Sequence, residues 1–489
     1  MKNINIRIVL LVAISFFTHN FVFSQVTKSD YFMETSYLRN SLNPALRPDQ
    51  GYLVIPVLPN AGVNLQTNRF NLDNLTFQGP AGKRVTFMHP SVSAEDFLSN
   101  MSADNYINSD VNIKLFGFGF YKGDKFWNID LGVRAHVDAN VPKEFFRLFK
   151  EGFDQNKQST FDLSDLSATG NAFVELGVSH SRPFLDNNLI IGARVKLLGG
   201  IGDFDLNAKS LYIDAGPEYW KARSQVTLKG AGPGKLTPKY DDETDLIDGF
   251  DLDDFNIPGY GAGLDIGAVY DVKHVLPMLE GLKVSAAIND IGFISWTKKS
   301  SLDLRSSEQE IVVAPNEIGK DDDSSLSDVF EDAFDKLQEA TNLRGENKGY
   351  TSRLRMNMML GAEYELFKHK LSFGALYSRR FGNYFDASEF TVSANARLCP
   401  WVSTSLTYSF MHSKFDTFGF ALHLAPTKGI SLFLASDYTV PHVNSDFLPT
   451  TSKALNFQMG ISIPLGQKKS RTAKAEVIQD IMIEEYKAE

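Results

Sequence analysis

Ten charged residues occupy the polar positions of segments in which apolar and polar residues alternate. They are Arg134, Arg194, Arg353, Arg355 and Arg397, with Asp130, Glu175, Asp265, Glu363 and Glu365. If these segments enclose one space, the ten side chains meet inside it. Such an arrangement has two uses: a charged constriction that selects solutes, or an ion-pair network that keeps the interior from collapsing.

Other chemistry is harder to assemble from this chain. Asp241, Asp242, Glu243, Asp245, Asp248, Asp251, Asp253 and Asp254 crowd one short stretch. Their spacing departs from the calcium loop of an EF-hand, and a solvated acidic loop accounts for them. His136 and His423 fall on polar faces and His180 near a segment end, without a serine elbow or a third partner. There is no His-Glu-x-x-His, no phosphate loop and only one cysteine, Cys399, so no intramolecular disulfide can form. No catalytic residue, metal site or cofactor is implied, and the expectation is that the chain is not an enzyme.

The segments that position the charges are strands. From Arg353 to Leu366, Leu354, Met356, Met358, Leu360, Ala362, Tyr364 and Leu366 fall on one face. Arg353, Arg355, Asn357, Gly361, Glu363 and Glu365 fall on the other, and only a period of two separates the sets. The same alternation runs through Ile129–Val137, Leu189–Leu197, Leu282–Ile288, Phe390–Leu398, Val402–Phe410 and Leu455–Ile463. These runs exceed the about 5–6 residues of ordinary strands and suit the roughly 9–11 that cross a bilayer.

The start of the chain agrees. Lys2 and Arg7 precede the apolar run Ile8–Phe17, and Val22 and Ser24 stand before Gln25. That pattern reads as a secretory signal peptide over 1–24. No cysteine follows the cut, which excludes a lipoprotein anchor. Net charge is −10, which disfavours nucleic acid as a partner. The 38 Phe and 17 Tyr are enough for a lipid-facing band with interfacial girdles.

Loop lengths give the strand count. Short links (Lys122–Asp124, Phe184–Asn188, Asp271–Gly281, Phe367–His369, Cys399–Trp401, Ala425–Gly429) alternate with long ones (Arg69–Asp110, Ala139–Gly170, Ile201–Gly259, Ser295–Thr351, Thr439–Ala454). Two links in the second class, Gly382–Ser388 and Ser413–Lys414, are short. Outer-membrane barrels show this asymmetry, with short turns in the periplasm. It predicts strands near 52–68, 111–121, 125–138, 171–183, 189–200, 260–271, 282–294, 352–366, 370–381, 389–398, 402–412, 415–424, 430–438 and 455–465. The result is an all-β, closed antiparallel transmembrane β-barrel of fourteen strands, with both ends in the periplasm. Residues 203–214 and 219–229 read as a hairpin extending the sheet beyond the membrane; the count becomes sixteen if both cross. Pro56 and Pro59 weaken the first strand, because proline cannot donate to the ladder.

Within this frame Asn43-Pro44-Ala45, followed by Gly51-Tyr52-Leu53-Val54-Ile55-Pro56, resembles the start of the long-chain fatty-acid transporter superfamily of outer-membrane barrels. The pair Gly261–Ala268 and Asn289-Asp290-Ile291-Gly292-Phe293 resembles an uncharacterised branch of that superfamily, and secretion-system shuttle barrels look like cousins. The resemblance implies that 25–51 is a lumenal plug bearing Asn43, Pro44 and Ala45. It also implies an outer-membrane location in a Gram-negative bacterium, contact with outer-membrane lipid, and passage of a small hydrophobic molecule. The chain departs from the fatty-acid transporters in lacking a conspicuously apolar outer loop and in continuing beyond the last strand.

The domain plan is therefore a signal peptide (1–24), a plug (25–51), a barrel (52–466) and a periplasmic tail (467–489). The tail, with Val477, Ile478, Ile481, Met482 and Tyr486 as an apolar stripe, reads as a short helix that docks a periplasmic protein or folds back on the barrel. Ser325–Leu337 and Pro142–Phe153 read as amphipathic helices packed on the rim. The alternative to transport is a barrel that anchors a secretion or surface-assembly complex.

Overall fold

The computed structural model describes residues 3–4, 27–58, 60–79, 84–151, 159–215, 220–240, 247–306, 311–313, 343–367, 370–382, 386–411, 415–427, 429–438 and 453–467. The leader beyond Asn3–Ile4, the helix expected at 325–337, residues 241–246 of the acidic stretch and the tail 468–489 lie outside these residues.

Fourteen antiparallel strands close into a barrel among the described residues. β1 comprises Gln50–Val54 and Asn60–Thr67, interrupted around Pro56 as the missing ladder donor requires. The wall continues with β2 (Asp104–Lys122), β3 (Lys125–Pro142), β4 (Ser167–Phe184), β5 (Leu189–Ala215), β6 (Gly259–Asp271) and β7 (Leu282–Trp296). It is completed by β8 (Tyr350–Arg353 and Asn357–Phe367), β9 (Leu371–Arg380), β10 (Ala387–Cys399), β11 (Val402–Met411), β12 (Phe415–Thr427), β13 (Ile430–Ser436) and β14 (Ala454–Gln467). β14 pairs with both halves of β1, Leu53 opposite Ile463 and Leu65 opposite Leu455, so no sheet edge is left open. Closure is what hydrocarbon demands, because it offers no partner to a free N–H or C=O.

The alternation sorts side chains as the pattern requires. Val195, Leu197, Leu360, Leu366, Leu406 and Phe418 are exposed on the outside. Lys196, Asp265, Asn395, Ser405 and Gln458 are buried inside. The outside is apolar around the barrel, as a wall facing hydrocarbon requires. Among the described residues no helix is long and apolar enough to cross a membrane; the strands do the crossing.

The strand count stays at fourteen because the expected hairpin does not cross. β5 runs on to Ala215 and pairs with Trp220–Ala231, with Asp203 opposite Ala231 and Ala215 opposite Trp220. Above the barrel the long links share a second core. Helix α1 (Ala94–Ser99), capped by the Ser93 hydroxyl accepting from the Asp96 N–H, packs near α2 (Lys143–Glu151). Phe87 stacks on Phe97 at 4.2 Å between ring centres, and Phe146 meets Phe97 edge-on at 5.7 Å. Leu211, Ile213, Leu302 and Leu304 complete this core, so four long links form one folded cap.

One expected strand is not continuous. β8 stops at Arg353 and resumes at Asn357, while Phe293 still faces Arg353 and Asn289 still faces Asn357. Between these pairs, 290–292 and 354–356 leave the regular β7–β8 ladder together, keeping one bond from the Leu354 N–H to the Gly292 carbonyl (3.0 Å). Asn289 and Asp290 both point inward on β7, and Leu354 and Arg355 are both withdrawn from the outer face on β8. Each bulge inverts the faces of the residues beyond it. Two expectations fall as a result. Leu354 is not on the lipid face; it is buried with Trp296 and Ile294. Arg353 is not lumenal; it is exposed on the outer face opposite the outward Phe293.

Candidate functional site

The lumen is occupied by the chain's own residues 27–49, a short 3₁₀ turn (Lys28–Asp30) and a one-turn helix (Arg39–Leu42) joined by buried turns. Asn43 leaves this helix extended, with its Oδ1 accepting from the Ala45 N–H (2.9 Å). Its Nδ2 donates to the Tyr31 hydroxyl (3.1 Å) and to the Ala286 carbonyl of β7 (3.3 Å). Asn40 donates to the Pro44 carbonyl (3.0 Å) and accepts from Ser179 of β4 (2.9 Å). The Asn-Pro-Ala turn is thus both folded on itself and bonded to the wall.

Its seat is made of missing side chains. Gly192 of β5 and Gly267 of β6 are direct ladder partners. A methyl group on Gly192 would overlap the Pro44 carbonyl, and one on Gly267 would overlap the Asn43 side-chain oxygen. Phe32 and Tyr31 likewise lie on Gly374 and Gly361. Further along, the Lys28 and Ser29 N–H groups donate to the Asp437 carboxylate (2.6 and 3.0 Å), and the Lys28 ammonium pairs with Glu389. Asp30 is wholly buried beside them. Burial pushes its carboxyl up to about 7, against hydrogen bonds from Ser36 and Thr27. Burial also raises Asp49, while Arg397, at 3.1 Å, pulls it down.

The lumenal charges form three groups. In the middle, Arg194 pairs with Asp130 and Glu175, and Arg134 grips Asp290 through two nitrogens (2.7 and 2.9 Å) and meets Glu175 (3.1 Å). Lys196 binds Asp290 (2.6 Å) and Asp265 (2.7 Å). Nearer the cap, Arg355 binds Asp110 and Asp138, and Arg380 binds Asp110 (3.1 Å). At the short-turn mouth Glu365 and Glu34 share Lys283 (3.3 and 3.6 Å), and Ser372 donates to Glu363 (2.7 Å). Nine of the ten expected charges therefore line the interior, in separate groups, while Arg353 stands outside.

Sequence reasoning missed Lys196 and Asp290 as members of the central group. Asp290 was hidden because a bulge, with a left-handed φ of 63°, turns it inward next to Asn289. The Asp265 carboxylate accepts the Asp290 N–H (2.7 Å), filling the gap where the β6–β7 register shifts. An aspartate in an Asn-Asp-Ile-Gly run is the available signal, since Asp and Asn tolerate this conformation best among residues with a Cβ. Lys114 also enters the central cavity, bound only weakly to Ser41 (3.4 Å) and over the Tyr37 ring (5.6 Å). That cavity is about 70 Å³, room for several waters at roughly 10–15 Å³ each. Among the described residues no His, Cys, Asp and Glu group has metal-holding geometry.

These features define the class: a transmembrane β-barrel with a folded segment of its own chain inside it. The chain belongs to DUF5723, a family of unknown function, whose profile matches residues 44–437. No curated protein matches it. Solved structures with a similar fold include a TodX monoaromatic hydrocarbon channel lacking S2 and S3, at 9% identity and TM-score 0.41, covering 86% of this chain and 92% of that one. The CymD monoaromatic hydrocarbon channel is 10% identical with TM-score 0.31, covering 89% and 94%. The translocator domain of autotransporter NalP from Neisseria meningitidis is 8% identical with TM-score 0.30, covering 85% and 88%.

Proposed function

We propose that this protein is a gated passage for a small molecule across the outer membrane of a Gram-negative bacterium, with residues 27–49 as the gate. In this reading the chain is exported by the leader 1–24, the cap faces the cell exterior and the short turns face the periplasm. It is a conduit rather than an enzyme.

One observation carries the reading. The plug rests on glycines and is held by side-chain hydrogen bonds, ion pairs and two apolar clusters (Tyr31, Phe32 and Leu42 against Met359 and Leu376; Tyr37 and Leu38 against Phe433) rather than by the ladder of the wall, so it can leave without any wall strand unpairing. The cavity beside it is lined by Asp130, Glu175, Asp290, Arg134, Arg194 and Lys196. Such walls favour a small polar solute over the hydrophobic molecule that the family resemblance implies, because an apolar guest gives ion pairs nothing in return for lost water. The test is solute flux into liposomes carrying the full chain or a deletion of residues 40–46. Flux rises in the deletion if the plug is the gate; equal flux sinks the reading.

A second reading, a barrel anchoring a secretion or surface-assembly complex, draws on the cap, whose long links share a hydrophobic core instead of standing apart. Pull-down with and without residues 467–489 separates the two. A protein retained only with the tail favours the anchor.

A further inference from the structure

Arg353 stands on the outer surface where the wall is still apolar. The ladder sets Leu197, Ala262, Phe293 and Arg353 side by side across β5 to β8. Leu197 is 62% and Phe293 49% exposed, so this row faces outward. β9 ends at Arg380, opposite Asn357, so Arg353 lies beyond its neighbour's end, at the rim. Its guanidinium has no hydrogen bond or ion pair among the described residues. An unpaired arginine at such a level reaches toward the water with its stem on apolar surface.

More cations stand above it. Lys298 and Lys299, just past the end of β7, are exposed and likewise without an ion pair among the described residues. Lys348, adjoining the second half of this rim, shares Asp303 with Arg305 (3.6 and 3.1 Å). Glu346 and Asp254 are exposed carboxylates nearby in sequence, Asp254 closing the acidic stretch that runs into Phe255. Arg353, Lys298 and Lys299 are thus three cations without an ion pair among the described residues, on a chain of net charge −10. Beside them Tyr260, Phe255 and Ile257 are exposed, Phe255 at 88%. On the next stretch of rim the arrangement differs, because Arg379 is neutralised by Asp386 (2.8 Å).

Apolar side chains at and below the level of Arg353 (Leu197 and Phe293 in its row, Val195 and Ile291 in the next row down), beneath unpaired cations, match an amphiphile with acyl chains and a negatively charged head. We propose that the outward face of β6–β8 at the cap-side rim is a seat for a phosphate-bearing anionic lipid of the leaflet that surrounds it. Val195, Ile291, Leu197 and Phe293 lie along its chains, and Arg353, Lys298 and Lys299 take its phosphates. The proposal rests on the membrane orientation of the gated passage, since that orientation places this rim in the outer leaflet.

The test uses the full chain in detergent and native mass spectrometry, with lipid A, a bisphosphorylated glycolipid, as the probe and its dephosphorylated form as the comparison. The triple variant Arg353→Gln, Lys298→Gln, Lys299→Gln should bind lipid A about a hundred-fold more weakly, at roughly five-fold per cation near a charged membrane surface. Arg353→Lys keeps the charge and should bind within a few-fold of the parent. Lys122→Gln with Lys125→Gln, at the opposite mouth, should change nothing. Equal binding by the triple variant, equal loss in the Lys122 and Lys125 control, or equal retention of the phosphate-free lipid each overturns the proposal. Vesicle flotation of the same samples separates the two levels: a chain that does not float sinks the membrane reading, whereas one that floats but ignores phosphate sinks only the lipid seat.

Discussion

Gly192 and Gly267 face each other across β5 and β6, and the Asn43–Pro44 peptide lies over both. Neither position leaves room for one more carbon. The plug therefore approaches the wall backbone at a spot where two strands together supply a hollow.

Gly192→Ala or Gly267→Ala should displace the turn while leaving the barrel closed. Overpacking of this kind costs about 1–3 kcal/mol. Single-channel recording should show larger or more frequent openings, and protease should reach 40–46 sooner. A fully protected plug in both variants contradicts the seat.

Asn43→Ala should give an effect of similar size. It removes donors to Tyr31 and Ala286 and the acceptor for the Ala45 N–H, each worth about 1 kcal/mol net. Hydrogen exchange at residues 41–46 should quicken, with the strands unchanged.

Asp290→Asn should strain the wall itself. Arg134 and Lys196 lose a shared counter-ion, and breaking a buried ionic group in this way costs about 3–5 kcal/mol. The barrel should unfold at a lower temperature in a gel-shift assay. Adding Lys196→Met should recover part of the loss, because the two positions share one network.

Acidity should tighten the plug. The Asp30 carboxyl has its folded value raised to about 7, against about 3.9 for the unfolded chain. Protonated Asp30 is the form the docked plug prefers, so its contribution is greatest below about 4 and fades as pH climbs toward 7. Protection of residues 27–36 from protease should fall between about pH 4 and 7 in the parent and stay flat in Asp30→Asn. An unchanged slope in the variant assigns the effect elsewhere.

Much of the wall was legible because period two and link length are both local properties. Leu360, Ala362 and Tyr364 face out and Glu363 and Glu365 face in, as alternation requires. The end of β5 beyond the membrane was also readable, from the hairpin turn it must reach. The failures came at bulges. Arg353 shares its parity with Arg355 in the sequence, yet the pair lies on opposite sides, because Leu354 and Arg355 are both drawn in. Periodicity carries no mark of such a slip. Asp290 and Lys196 were missed for a related reason: the network depends on which strands become neighbours, and that is settled only on closure. Only part of the cap core was visible, in the rim helix with Phe145 and Phe146 and the hairpin with Leu211 and Ile213; Phe70, Phe87 and Phe97 sit in segments without a regular period.

The placement of the plug just ahead of β1 has a consequence for assembly. β1 is zipped to β14, the last strand in the order of the chain, whereas residues 27–49 come first. The cork is thus at hand before the final stave exists, and one mouth of the finished cask carries a lid. Loading during closure is the short route, and the hydrogen bonds from Lys28 and Ser29 to Asp437 join this early piece to a late one. A barrel made without residues 27–49 should close more slowly, and supplying them afterwards as a peptide should not restore the speed.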